Sequence, residues 1–142
     1  MRALLDVNFL IALLDTNHTS YRLATTWFAQ HAAEGWASTP ITENGCVRIM
    51  SHPGYAGRHS VLEIVSRLRA AVADDVHEFW PDSLSSLDER VIDTSRVHGP
   101  RQLTDAYLLA LAVHHSGRLV TFDKAIALDA VRGAKPANLL AL

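Results

Sequence analysis

One cysteine, Cys46, occurs in 142 residues, which excludes an internal disulfide and any cluster of thiolate metal ligands. Between Asn44-Gly45 and Val47-Arg48 it is expected to pack as a small apolar side chain. No stretch approaches the roughly 18 uninterrupted apolar residues of a membrane span. The start, with Asp6 inside its first apolar run, does not read as a signal peptide, so a cytoplasmic protein is expected. A basic excess is missing as well: the formal net charge is -2, which disfavours a general nucleic-acid binder working through overall charge. Three common chemistries lack their motifs. There is no His-x-x-x-His pair, no glycine-rich phosphate loop and no serine in a tight glycine-flanked turn.

What is present is a globular composition, 49% apolar and 20% charged, in a length that suits one domain over residues 1–142. Apolar patterning alternates between strand and helix periods, with no long linker, low-complexity tract or repeat. Strands are expected at residues 2–6, 35–38, 76–80 and 118–122, with an edge strand at 139–142. Helices are expected at 7–14, 18–34, 41–50, 58–73, 84–94 and from 102 to about 113. This order predicts an α/β fold built on a βα-type sheet.

Four acids stand where strands end or helices begin. Asp6 closes Ala3-Leu4-Leu5, and Asp123 closes Leu119-Val120-Thr121-Phe122, with Thr121 on the same side two positions earlier. Glu43 falls in a first helical turn and Asp105 at the start of the late apolar helix. Each has an ordinary structural reading. Asp6 and Asp123 would serve as caps, Asp105 or Thr104 would cap its helix with a dipole gain of about 0.3 to 1 kcal/mol, and Glu43 would simply be solvated. Taken together they suggest chemistry. If the first and fourth strands are parallel neighbours, Asp6 and Asp123 meet at the carboxyl edge, where open α/β sheets bind ligands. Converging carboxylates repel by about 3 kcal/mol per pair at about 5 Å, so such a cluster holds cations or protons. Oxygen ligands suit Mg²⁺ or Mn²⁺ and leave positions open for phosphate oxygens, and hydrolysis of a phosphodiester is the reaction that fits.

Charge is uneven along the chain. Arg48, Arg58, Arg67 and Arg69, with His52 and His59, face one acid, Glu63, between residues 44 and 73, and Arg96, His98 and Arg101 form a smaller group. Such groups could hold phosphates or could be solvated helix faces. His114-His115, at a helix end, read as partners of the helix dipole.

The order Leu5-Asp6-Val7-Asn8, Thr42-Glu43-Asn44-Gly45, Leu103-Thr104-Asp105-Ala106 and Val120-Thr121-Phe122-Asp123 resembles the PIN-domain ribonucleases, in particular the VapC-type toxins of bacterial toxin-antitoxin pairs. The resemblance spans nearly the whole chain. It implies a three-layer α/β/α sandwich with a central parallel sheet, and cleavage of RNA with Mg²⁺ or Mn²⁺ held by the acids. Asp6 and Asp105 match the most dependable ligands, Glu43 the third acid and Asp123 the more variable fourth. Asn8 and Thr121 match polar residues that orient ligands or water, and Arg48 sits where related toxins often carry a basic residue. The resemblance further implies a homodimer and a cognate antitoxin covering the site. Phe9, Leu10 and Tyr55 are open between a subunit contact and the core. Two other readings are a phosphohydrolase of the haloacid dehalogenase type, with Asp6 as nucleophile, and a non-catalytic domain binding RNA or a partner. Asn8 stands where the first of these wants a second aspartate.

Overall fold

The central strands are short, mostly apolar runs because both faces of the sheet are covered there. The computed structural model describes residues 1–142. It contains five strands: β1 (Ala3–Leu5), β2 (Trp36–Ser38), β3 (His77–Phe79), β4 (Arg118–Thr121) and β5 (Leu139–Ala141). They form one sheet in the order β3-β2-β1-β4-β5, with every neighbouring pair parallel. Leu4 pairs with Leu119 and Leu5 with Val120, so β1 and β4 end side by side. From β1 the chain builds outward to β2 and β3, then returns to add β4 and β5 on the other side. The switch point between β1 and β4 is where such sheets open a crevice.

Alternation along each strand feeds two cores. Leu5, Trp36 and Val120 point to one face, where they meet Phe9, Trp27, Cys46, Met50, Ile64 and Leu68. These come from α1 (Val7–Leu14), α2 (Tyr21–His31), α3 (Pro40–Met50) and α4 (Val61–Val72). Leu4, Ala37 and Leu119 point to the other face, against α5 (Pro100–His114), Trp80 and Ile92. The result is an α/β/α sandwich around a central parallel sheet, as expected. Cys46 lies in the first core with its thiol pushed up to about 12 by burial. Phe9 and Leu10 are also core residues, and Tyr55 packs against that core while its hydroxyl donates to Asp15. No helix is long and apolar enough to cross a membrane.

Local rules account for how the helices start. Asp6 caps α1 by accepting from the Val7 amide, and Thr39 and Thr42 form a reciprocal capping box on α3 with Pro40 in its first turn. Gly45 lets α3 approach α1 closely, since a Cβ there would stand 2.7 Å from Val7 Cγ2.

Several expected boundaries differ; the helix expected at 18–34 is α2 over Tyr21–His31, followed by a 3-10 turn at Ala32–Glu34. Residues 84–94 form turns rather than a helix: Ser85, Asp88 and Asp93 accept hydrogen bonds from backbone amides two residues ahead, offering the chain an alternative to helical pairing. Helix α4 begins at Val61 rather than residue 58, because Ser60 caps it and Arg58 adopts a left-handed φ of 49°. Helix α5 begins at Pro100, with Pro in the first turn, so Asp105 lies in its second turn and neither it nor Thr104 is a cap.

Candidate active site

The carboxyl edge at the β1–β4 switch point carries a hydrogen-bonded network centred on Thr121. Its Oγ1 donates to Asp6 Oδ2 at 2.7 Å and accepts from the Asp123 amide at 3.0 Å and from Asn8 Nδ2 at 3.1 Å. A hydroxyl has one proton and two lone pairs, so this one is fully used. Asn8 Oδ1 accepts from the Phe122 amide at 3.2 Å, and Asp6 Oδ1 accepts from the Val7 amide at 2.7 Å. These bonds tie the end of β1, the first turn of α1 and the end of β4 into one rigid unit.

Asp6 is only 5% exposed. Burial holds its carboxyl above the ordinary range, the bonds from Thr121 and Val7 pull it back, and the negative charge of Asp123 adds to the rise. Asp105 reaches the same place from α5. Burial first, then the charges of Asp6 and Asp123, push it up to about 6, and no hydrogen bond counters them. Asp123 spends Oδ1 on the Ala125 amide at 2.8 Å in a turn and keeps the other oxygen free of protein partners. The charges of Asp6 and Asp123 therefore reach Asp105, and that of Asp123 reaches Asp6, with no cationic side chain paired to any of the three.

Glu43 takes a different orientation. Its Oε1 accepts from Ser38 Oγ at 2.6 Å, and Ser38 Oγ also meets His77 Nε2 at 2.8 Å. The same side chain lines a groove of about 270 Å³ between α3 and α4 with Asn44, Val47 and Arg69. It contributes nothing to the shifts of Asp6 or Asp105, and no three carboxylates stand ready as a preformed cage. Arg48 is exposed, farther along α3. The structure thus brings together Asp6, Asn8, Asp105, Thr121 and Asp123, while Glu43 is held by Ser38 at the end of β2 and Arg48 stands apart. Ser38 and His77 carry no local signal of their contact in the sequence, because the pairing of β2 with β3 that sets them diagonally on one face is non-local. The one available signal was a polar residue, Ser38, ending a strand beside the turn that delivers Glu43.

An open parallel sheet with aspartates gathered at its switch point defines a protein of the acid-site α/β class, and comparison with known families gives the class its name. The PIN domain model matches residues 3–132, and the chain belongs to the PIN-domain family. Within it the relatives are VapC ribonucleases: the chain is 52% identical over 142 residues to Ribonuclease VapC44 of Mycobacterium tuberculosis strain H37Rv, covering 100% of both. It is 42% identical over 140 residues to Ribonuclease VapC39 of the same strain, covering 94% of this chain and 96% of that one. Among solved structures, Mycobacterium tuberculosis VapC20, described as a sarcin-ricin loop cleaving toxin, superposes with a TM-score of 0.65 at 11% identity. That match covers 94% of this chain and 99% of VapC20 and shows that the fold is shared.

Proposed function

We propose that this protein is a metal-dependent endoribonuclease toxin that hydrolyses RNA phosphodiesters at the Asp6–Asp105–Asp123 edge. The observation that carries the proposal is the convergence of Asp6 and Asp123 on Asp105, whose carboxyl burial and those two charges push up to about 6 with no donor to relieve it. A divalent cation is the natural relief. The donors are all oxygen, which suits Mg²⁺ or Mn²⁺, and Mg²⁺ takes few carboxylates from its protein. Asp6 and Asp105 would hold the ion, with Asp123 beside them and Glu43 as the further acid. When bound, it supplies Lewis acidity at the phosphodiester and makes water a stronger nucleophile at neutral pH.

The chain's own residues do the positioning. Thr121 fixes Asp6 in one rotamer and anchors the Asp123 backbone, and Asn8 holds Thr121 and Phe122 in register. Low-entropy placement of this kind lets the acids meet a ligand without reorganising. The Asn8 amide also counts against the phosphohydrolase reading, since it carries no titratable proton for the second-aspartate role. A cognate antitoxin covering the acids and a homodimeric assembly belong to the same proposal and rest on the family relationship.

Cleavage of a structured RNA pool tests the reading. The expected result is cleavage by the purified protein with Mg²⁺ or Mn²⁺, its loss with chelator, and its loss in Asp6→Asn. Trapping of a covalent phosphoenzyme on Asp6 would contradict hydrolysis by water and favour the phosphohydrolase chemistry.

A further inference from the structure

Most arginines of this chain are committed. Arg2 pairs with Glu78, Arg67 with Glu63, Arg90 with Asp88, Arg96 with Asp93 and Asp129, and Arg132 with Asp93. Arg118 donates to the Ala137 carbonyl. Arg22, Arg48, Arg58, Arg69 and Arg101 have no such partner, and three of these, Arg48, Arg58 and Arg69, lie on the hairpin of α3 and α4 and its connecting loop.

Their placement is continuous. Arg69 shares the α3–α4 groove with Glu43 and Asn44. Asn44, Arg48 and His52 follow at four-residue spacing, which puts them on one side of α3 and its end, and all three are exposed. His52 next to Arg48 lines one surface depression with Tyr55 and Gly54. It then lines a second, of about 490 Å³, with Ser51, Pro53, Arg58, His59 and Ser60. In that loop His52 Nδ1 accepts from the Gly54 amide at 2.9 Å, so the proton of a neutral ring sits on Nε2, turned away from that bond. Glu63, the acid of this region, is neutralised by Arg67 and faces His59. A helix rise of 1.5 Å per residue makes the path from Asn44 to His52 roughly 12 Å long.

We propose that this track, from Arg69 through Arg48 and His52 to Arg58, grips the phosphates of single-stranded RNA and leads the strand to the aspartates. It extends the nuclease reading and depends on it. The unpaired cations supply the sequence-independent charge that a net charge of -2 does not. Asn44 and the Ser60 hydroxyl, which accepts from the Glu63 amide and keeps its own proton, supply neutral donors to phosphate and sugar. The wall of the groove beside Arg69 is apolar at Val47, Val65, Leu68 and Val72, which gives a base or ribose a surface to rest on beside Glu43.

The test measures binding of a fluorescent single-stranded RNA by anisotropy in the non-cleaving Asp105→Asn background, from about 50 to 200 mM salt. Each neutralised phosphate contact lowers the slope of log affinity against log salt by about 0.7 for a single strand. R48Q and R58Q should each weaken binding several-fold and remove about that much slope, with the double variant near 1.4. R22Q, an unpaired arginine on α2, should match the parent. Circular dichroism confirms that the variants fold. Equal slopes in R48Q, R58Q and the parent, while wild-type protein still cleaves RNA, would overturn the track and leave the nuclease reading intact. Loss of an antitoxin contact by the same variants, with RNA affinity unchanged, would assign the track to a protein partner instead. Wild-type protein that neither binds nor cleaves RNA would overturn both.

Discussion

Replacing Asp105 by asparagine should make the metal-free protein more stable at neutral pH. The Asp105 carboxyl stands at about 6 in the folded chain against an ordinary 3.8, because it is half buried and faces the charges of Asp6 and Asp123. A rise of about two pH units corresponds to about 3 kcal/mol at full strength, and solvent screening of a half-buried group reduces that to about 1 to 2 kcal/mol. The sign follows from linkage. A carboxyl raised by folding binds its proton more tightly in the native state, so its cost is absent below about pH 4, grows between about pH 4 and 6 and is complete above that. The neutral amide has no such cost. In chelator at about pH 7.5, thermal unfolding of Asp105→Asn should therefore occur about 3 to 6 °C above wild type, and at about pH 4 the two should coincide. Adding Mn²⁺ should then raise the wild-type midpoint and leave the variant nearly unmoved. A variant no more stable than wild type at neutral pH, or equally advantaged at pH 4, would refute the electrostatic account of the site.

Further predictions concern the frame around the acids. Thr121→Val keeps shape but removes the donor to Asp6 and the acceptor for Asn8 and the Asp123 amide, so denaturant unfolding should show a loss of about 2 to 3 kcal/mol and cleavage should fall with it. Gly117→Ala places a Cβ 2.8 Å from both the Arg2 carbonyl and the Trp80 ring; overpacking at backbone should cost about 1 to 3 kcal/mol by the same assay. Cys46 is fully buried with its thiol pushed up to about 12, so a thiol reagent should label it only in denaturant, and rapid labelling of the native protein would contradict the packing described. Ser38→Ala frees Glu43 from its 2.6 Å hydrogen bond, and calorimetric Mn²⁺ binding should change in affinity if Glu43 joins the ion; an unaltered isotherm would leave Glu43 outside the metal site.

The central architecture could be read before the fold was seen, for identifiable reasons. Apolar runs that end on Asp6 and Asp123 predict strands buried on both faces, and a parallel sheet then sets the two acids side by side, as the Leu5–Val120 register does. Helix α1 runs over Val7–Leu14 as expected because Asp6 caps it and the polar turn at Asp15 ends it. Other features depended on non-local or side-chain choices. Residues 84–94 carry enough apolar positions to suggest a helix, yet Ser85, Asp88 and Asp93 bond to nearby amides and turn the chain instead. Periodicity placed Glu43 in a first helical turn, but only the neighbouring strands reveal that its carboxylate meets Ser38, which in turn meets His77. Likewise the basic composition of residues 44–73 suggested phosphate contacts without showing that Arg67 is spent on Glu63 while Arg48, Arg58 and Arg69 remain free.

Single-turnover cleavage of a structured RNA by wild type and Asp105→Asn, each with Mn²⁺ and with chelator, tests the central claim most directly. The account predicts cleavage by wild type with metal, none with chelator, and a loss of at least about 100-fold in the variant, corresponding to about 3 kcal/mol of transition-state stabilisation, while the variant still binds the RNA. Cleavage that persists in chelator, or in Asp105→Asn at the wild-type rate, would contradict a metal-dependent nuclease centred on the three aspartates.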